Sequence, residues 1–134
     1  PELRQQLDAI LTRYKLEAHR DSTVSALAQG VRKLLDIAMA VVSRPRILLL
    51  DEPTSGISVE EKFDFMDIVM DALKEDGVTV LFVEHDMEIV ARYVSRVLAF
   101  YQGEIIADMP PKKALSDKKV QEFVIGKEHH KKKK

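Results

Sequence analysis

Two short apolar runs separated by one helix-length segment limit what this chain can become more than any other feature. Ile47-Leu48-Leu49-Leu50 is unbroken, and Val78 to Val83 is interrupted only by Thr79. Runs of this kind suit strands buried on both faces of a parallel sheet. Between them Val59, Phe63, Met66, Val69, Met70 and Leu73 recur at helical spacing. Ser58 and Glu61 form a Ser-x-x-Glu capping box at the start of that segment, and Gly77 lies past its end. Strand, helix, strand is the order of a parallel crossover, so the expected class is α/β.

The flanks extend this frame. Leu3, Leu7, Ile10, Leu11 and Tyr14 predict an amphipathic helix over about residues 3–15, followed by the polar stretch Glu17 to Ser25. Val31, Leu34, Leu35, Ala38, Val41 and Val42 predict a second helix starting near Ala28 and stopping at Ser43-Arg44-Pro45, where proline cannot continue it. Arg96 to Tyr101 and Glu104 to Ala107 flank Gln102-Gly103 as a hairpin would. Pro110-Pro111 breaks the chain before a short helix near Asp117 to Val124. The end, His129 to Lys134, reads as a solvated basic tail with only nonspecific attraction for phosphate, so no specific nucleic acid is expected.

Composition removes several classes. No cysteine is present, which excludes disulfide scaffolds, thiolate zinc sites and cysteine nucleophiles. With 46% hydrophobic and 32% charged residues and a net charge of -1, the chain reads as an ordinary globular domain whose bulk charge names no partner. No apolar stretch approaches the roughly 18–20 residues that span a bilayer, and no leader pattern opens these residues. Any membrane association is therefore expected to go through a partner. The first residue is Pro1 rather than Met, which leaves a processed protein, a fragment or missing upstream sequence open.

Asp51 and Glu52 follow the apolar run directly, at the carboxyl end of the strand, where open α/β sheets face their ligand crevice. Two adjacent carboxylates there are costly to desolvate unless a cation or hydrogen bonds compensate. A divalent metal would do so, and a strand ending in two solvated acids is the plain alternative. His85, at the end of the next strand, is by itself more often structural than functional. Asp51, Glu52 and His85 as a metal-dependent hydrolase site is a further reading, without another ligand spaced nearby.

Leu50-Asp51-Glu52-Pro53-Thr54-Ser55-Gly56 resembles the LDEPTSG run of ABC transporter ATP-binding subunits, which begins with the Walker B carboxylates. Val83-Glu84-His85-Asp86 looks like the switch-histidine segment of the same family, and Gln102-Gly103-Glu104-Ile105 like its late hairpin. Ala114-Leu115-Ser116-Asp117 with Val120 to Gly126 is similar to the C-terminal extension of branched-chain amino acid importer ATPases. The resemblance covers about residues 4–128 and corresponds to about half of a complete subunit. It implies the C-terminal half of a P-loop NTPase core with parallel strands, crossover helices and a late hairpin. It also implies an organisation: residues 1–44 as the helical-subdomain remnant, 45–109 as the ATPase core portion, 110–128 as a helical extension and 129–134 as the tail. In that family Asp51 would hold Mg²⁺, Glu52 would polarise the attacking water and His85 would contact the γ-phosphate of ATP.

The chain also departs from the family pattern. A phosphate loop needs G-x-x-x-x-G-K-[ST], and Gly30, Gly56, Gly77, Gly103 and Gly126 include no pair at that spacing. Leu27-Ala28-Gln29-Gly30-Val31 stands where the family carries a sequence like LSGGQ, so the hydroxyl is lost at Ala28 and Gln29 can crowd the backbone. Ser58 replaces the Asp usual at the end of the D-loop, and Met39 an Arg common in the signature helix. Gly30, Gln29 and Ser58 are thus the expected remnants of the surface facing nucleotide across a dimer.

The resemblance implies a cytoplasmic ATPase subunit at the inner face of the membrane, working with permease subunits and a second ATP-binding subunit. Without a phosphate loop, these residues alone are expected neither to bind ATP tightly nor to hydrolyse it. The alternative is a non-catalytic module of the same ancestry, dimerising through a sheet edge that the missing phosphate-loop strand leaves exposed.

Overall fold

A computed structural model describes residues 1–126 and divides the chain into two compact units, Pro1–Val83 and Glu84–Lys134. The basic tail expected over 129–134 lies outside the described residues.

In the first unit, α1 (Glu2–Arg13) is followed by two single 3₁₀ turns and α2 (Gln29–Val41). Then come β1 (Ile47–Asp51), α3 (Lys62–Glu75) and β2 (Thr79–Val83). The crossover is present: β1 and β2 pair in parallel, with Ile47 opposite Thr79, Leu49 opposite Leu81 and Asp51 opposite Val83. Leu34, Ile37, Ala38 and Val41 form the buried stripe of α2. Phe65, Met66, Val69, Ala72 and Leu73 form that of α3, with Met66, Val69 and Leu73 wholly excluded from solvent.

Three expectations for this unit need correction. The strands are not buried on both faces: Ile47, Leu49, Leu81 and Val83 are 62%, 69%, 54% and 63% exposed, whereas Leu48 is buried. A single crossover helix covers one face of a parallel pair, and the side chains of the other face alternate outward. Secondly, α3 starts at Lys62, and Ser58 is not its cap. The Ser58 hydroxyl bonds the Glu61 carboxylate at 2.8 Å, and the Ser58 carbonyl accepts from the amides of Glu61 and Lys62, closing a turn ahead of the helix. Val59, in that turn, is consequently 69% exposed rather than part of the stripe. Finally, Leu3 and Leu7 on α1 are also exposed, and no residue of that helix is buried.

The helix termini of this unit are joined by charge. Arg13, in the last turn of α1, pairs with Asp76 just past α3 and with Glu75 at 3.2 Å. The hydroxyl of the fully buried Tyr14 donates to Asp76 at 3.3 Å. Burial, reinforced by the Asp76 carboxylate, raises the Tyr14 phenol above its ordinary pKa of 10.0.

The second unit opens on α4 (Met87–Tyr93), which the sequence reading did not anticipate, and continues through β3 (Val97–Tyr101) and β4 (Glu104–Met109). These strands form the expected antiparallel hairpin, with Gln102 and Gly103 at φ 48° and 81° in its turn. Ala99 and Ala107 pack with Val120 in a small core bordered by Ile106, Met109 and Ile125. Instead of a break at the two prolines, α5 (Pro111–Ser116) starts there, since proline suits a first helical position whose amide needs no intrahelical partner. The terminal helix is short: α6 (Lys118–Val120), capped by Asp117, runs into a π-turn over Gln121–Ile125. Among the described residues no helix is long and apolar enough to cross a membrane.

Tyr14→Phe should lower the unfolding free energy by about 0.5–1.5 kcal/mol, the net worth of an ordinary hydrogen bond. The raised native pKa also sets a sign. The unfolded chain ionises first, so this contribution is intact below the ordinary value of 10.0 and falls as pH rises above it. Urea unfolding of both proteins between pH 8 and about pH 11 should therefore show an alkaline loss in the wild type that the Phe variant lacks.

Candidate functional site

The parallel ladder carries the two carboxylates to its carboxyl end. Asp51 is the last residue of β1, on the same outward face as Ile47 and Leu49, and is exposed. At Glu52 the ladder makes one more bond, from the Glu52 amide to the Val83 carbonyl at 2.9 Å, and then the chain turns away. The turn is tight. Glu52 has φ 46°, its carbonyl accepts from the Ser55 amide at 3.0 Å, and the Thr54 carbonyl accepts from the Ile57 amide at 3.1 Å. A left-handed conformation in a non-glycine residue is uncommon, and one that precedes proline is further restricted. Such backbone costs about 1–3 kcal/mol and persists where its surroundings over-determine it.

The start of α2 lies over this turn. Gln29 is the first residue of the helix, and its side chain sits against Gly56; a Cβ placed on Gly56 would meet the Gln29 Cδ at 2.9 Å. With φ 76°, Gly56 is required by conformation as well as by space. One turn further along α2, the Lys33 ammonium donates to the Pro53 carbonyl at 3.1 Å. Ala28, the N-cap, makes no side-chain capping bond, so the hydroxyl missing from the signature segment is missing from the helix end too. Gly30 is surrounded by open space, with nothing within 4 Å of an added Cβ.

The first unit thus brings Gln29 to Gly56 and Ser58 to Glu61, and holds Asp51 and Glu52 side by side. Within this unit the Gln29 and Ser58 side chains are engaged in contacts of their own. Lys33 was not among the residues singled out from the sequence; its signal is only a cation on the partly buried side of α2, which periodicity does not distinguish from a solubilising charge. His85 belongs to the second unit. It is exposed, and its amide donates to the Glu84 carboxylate at 3.2 Å, as does that of Asp86 at 3.3 Å. Asp86 caps α4 by accepting from the amides of Glu88 and Ile89 at 3.0 and 3.5 Å. The spacing Asp86, Met87, Val90 is the signal by which that helix could have been found.

Among the described residues no group of three or more His, Cys, Asp or Glu side chains is arranged to hold a metal. Of the three ligands that the hydrolase reading requires, Asp51 and Glu52 lie in the first unit and His85 in the second. A single exposed carboxylate at a strand end does fit Mg²⁺, which keeps most of its waters and takes one or two carboxylates together with phosphate oxygens.

Residues 2–55 match the family model described as ABC transporter. The chain is 32% identical over 119 residues to the energy-coupling factor transporter ATP-binding protein EcfA3 of Clostridium perfringens, covering 89% of this chain and 42% of that protein. Its fold is similar to cbiO1 from Clostridium perfringens, part of the ABC transporter complex cbiONQ, with TM-score 0.80, 32% identity and coverage of 89% of this chain and 47% of the other. A nucleotide-free ATP-binding cassette from an ABC transporter also matches with TM-score 0.80 and 32% identity, over 93% and 51% of the two chains. The chain therefore spans about half the length of the solved cassettes it matches.

Gly56→Ala should cost about 1–3 kcal/mol for the imposed left-handed backbone, with Gln29 displaced in addition. Gly30→Ala should be neutral or stabilising by up to about 1 kcal/mol, because alanine favours the helix. Urea titration of the two variants beside the wild type checks the contrast.

Proposed function

We infer that the chain, which is similar in fold to a nucleotide-free ATP-binding cassette from an ABC transporter, is the C-terminal portion of an ABC transporter ATP-binding protein. In complete form that protein couples Mg-ATP binding and hydrolysis to solute movement. The observation that carries this reading is the turn after β1, which presents Asp51 and Glu52 at the carboxyl end of a parallel strand, where α/β sheets bind their ligands.

Asp51 would hold Mg²⁺, and Glu52 would orient and polarise the water that attacks the γ-phosphate. His85 aims a donor at the charge that develops on the transferred group. Bound at Asp51, Mg²⁺ would supply positive charge that offsets the charge of the phosphates. Gly30, Gln29 and Ser58 belong to the surface facing nucleotide on a second ATP-binding subunit. That surface is weakened by the missing hydroxyl at Ala28 and by the contacts that Gln29 and Ser58 make at home. Permease subunits at the inner face of the membrane are the transport partners, and branched-chain amino acids are the solute class closest to the C-terminal sequence. In this organisation residues 1–44 form a helical subdomain, 45–109 the ATPase core portion and 110–128 the extension.

Because no phosphate-loop pattern occurs in the chain, it is inactive alone. Incubated with Mg-ATP, the purified chain should release no phosphate above background. Appreciable turnover abolished by Glu52→Gln would overturn this inactivity while supporting the role of Glu52.

A second reading is favoured by the open face of β1 and β2. Ile47, Leu49, Leu81 and Val83 form an apolar surface of the kind that recruits another polypeptide, and among the described residues β1 pairs in its sheet with β2 alone. On this reading the chain is a non-catalytic module that pairs with a second copy. Sedimentation that shows a dimer, converted to monomer by Leu49→Glu, supports it; a monomer at all concentrations removes it.

A further inference from the structure

We propose that the helical segment after the hairpin in the second unit binds an anionic lipid surface directly rather than through a partner. Lys112, Lys113, Lys118 and Lys119 meet the headgroups, and Phe123 and Val124 enter the apolar boundary beneath them. Nothing in this depends on the ATPase reading.

Residues 111–125 divide by burial. Ala114 and Val120 are buried, Val120 packs with Ala99 and Ala107 of the hairpin, and Ile125 borders the same core. The Gln121 side-chain amide donates to the Leu115 carbonyl at 3.0 Å, tying the π-turn back to α5 across the bend at Asp117. The outward residues are therefore held in place by packing beneath them. Lys112, Lys113, Lys118 and Lys119 are all exposed. The segment carries two acids: Asp117 accepts from the amides of Lys119 and Val120 at 2.9 and 3.0 Å, and Glu122 is exposed. Four lysines against two acids leave a local excess of two positive charges, in a chain whose net charge is -1. The cationic surface is thus a local feature that bulk charge conceals.

Just past the lysines the polarity changes. Phe123 and Val124 are 42% and 45% exposed, and the Phe123 ring stacks on Tyr101 with centroids 4.7 Å apart. Lysines draw such a segment to anionic headgroups, the apolar side chains gain by leaving water at the acyl boundary, and tyrosine suits the interface between them. Duplex nucleic acid would engage the lysines through its phosphates and leave Phe123 and Val124 in water. An anionic lipid surface uses both parts of the segment.

The test is co-sedimentation of the full 134-residue chain with vesicles of phosphatidylcholine alone and of phosphatidylcholine mixed with phosphatidylglycerol, at low and high salt. The chain should bind the mixed vesicles, not the neutral ones, and less at high salt. Combined Lys112→Gln, Lys113→Gln, Lys118→Gln and Lys119→Gln should weaken partitioning by about tenfold or more, and arginine at the same four positions should restore it. Phe123→Ser with Val124→Ser should weaken it by roughly threefold or more. Glutamine in place of Lys131 to Lys134 should leave most of the binding, which separates the segment from the terminal lysines. Equal binding to neutral vesicles, no binding to either, or a loss that follows the terminal lysines alone would overturn the proposal. So would undiminished binding without Phe123 and Val124, or tighter binding to duplex DNA than to mixed vesicles in the same salt.

Discussion

The parallel bond between β1 and β2 is the constraint from which the rest of the candidate site follows. It sets Asp51 opposite Val83 and continues through one further bond to the Glu52 amide, so the last act of the ladder is to fix the backbone of the residue proposed to direct water. After that bond the chain must leave the sheet at once, and it does so by adopting a left-handed Glu52 ahead of a proline. The turn is closed by the Ser55 amide, and α2 meets it through Gln29 at Gly56 and Lys33 at the Pro53 carbonyl. Packing of α2 and α3, with Ile37, Ala38, Met66 and Val69 in the interior, thus bears on the site as well as on stability.

The same strand pair shows an open side. A parallel pair with one crossover helix presents alternate side chains outward, and here those are Ile47, Leu49, Leu81 and Val83, with Asp51 at the end of the row. An apolar face that ends in a carboxylate is suited to being covered, because covering it would remove water from the apolar residues and leave the acid in need of a cation or donors. This links the two readings of function: a surface that recruits another polypeptide and an acid that recruits a metal lie on one row of side chains.

Much of this was legible in the sequence, and the misses have identifiable causes. The crossover, α2, the hairpin and the position of Asp51 and Glu52 follow from local periodicity, which survives in any packing. Burial on both faces did not, since it depends on what lies across the sheet, and an apolar run reads the same whether one side or two are covered. Ser58 and Glu61 do meet as a capping pair would, yet they close a separate turn; the pattern specifies the contact but not the residue at which the helix begins. The helix after His85 spans seven residues, so its signal in the sequence is the Asp86 cap with Met87 and Val90 behind it rather than a sustained period. The Gln29 side chain lies over Gly56, a contact between segments 27 positions apart that no local pattern encodes.

The most direct test of the central claim, that Asp51 marks the metal side of an ATPase site, is paramagnetic broadening by Mn²⁺ used in place of Mg²⁺. Titrated into the isotope-labelled chain, Mn²⁺ should broaden the Asp51 and Glu52 amide resonances before those of exposed carboxylates on α3 such as Asp64 and Asp71, and Asp51→Asn should remove that preference. Broadening spread equally over the surface acids, or a preference that survives Asp51→Asn, would contradict the assignment.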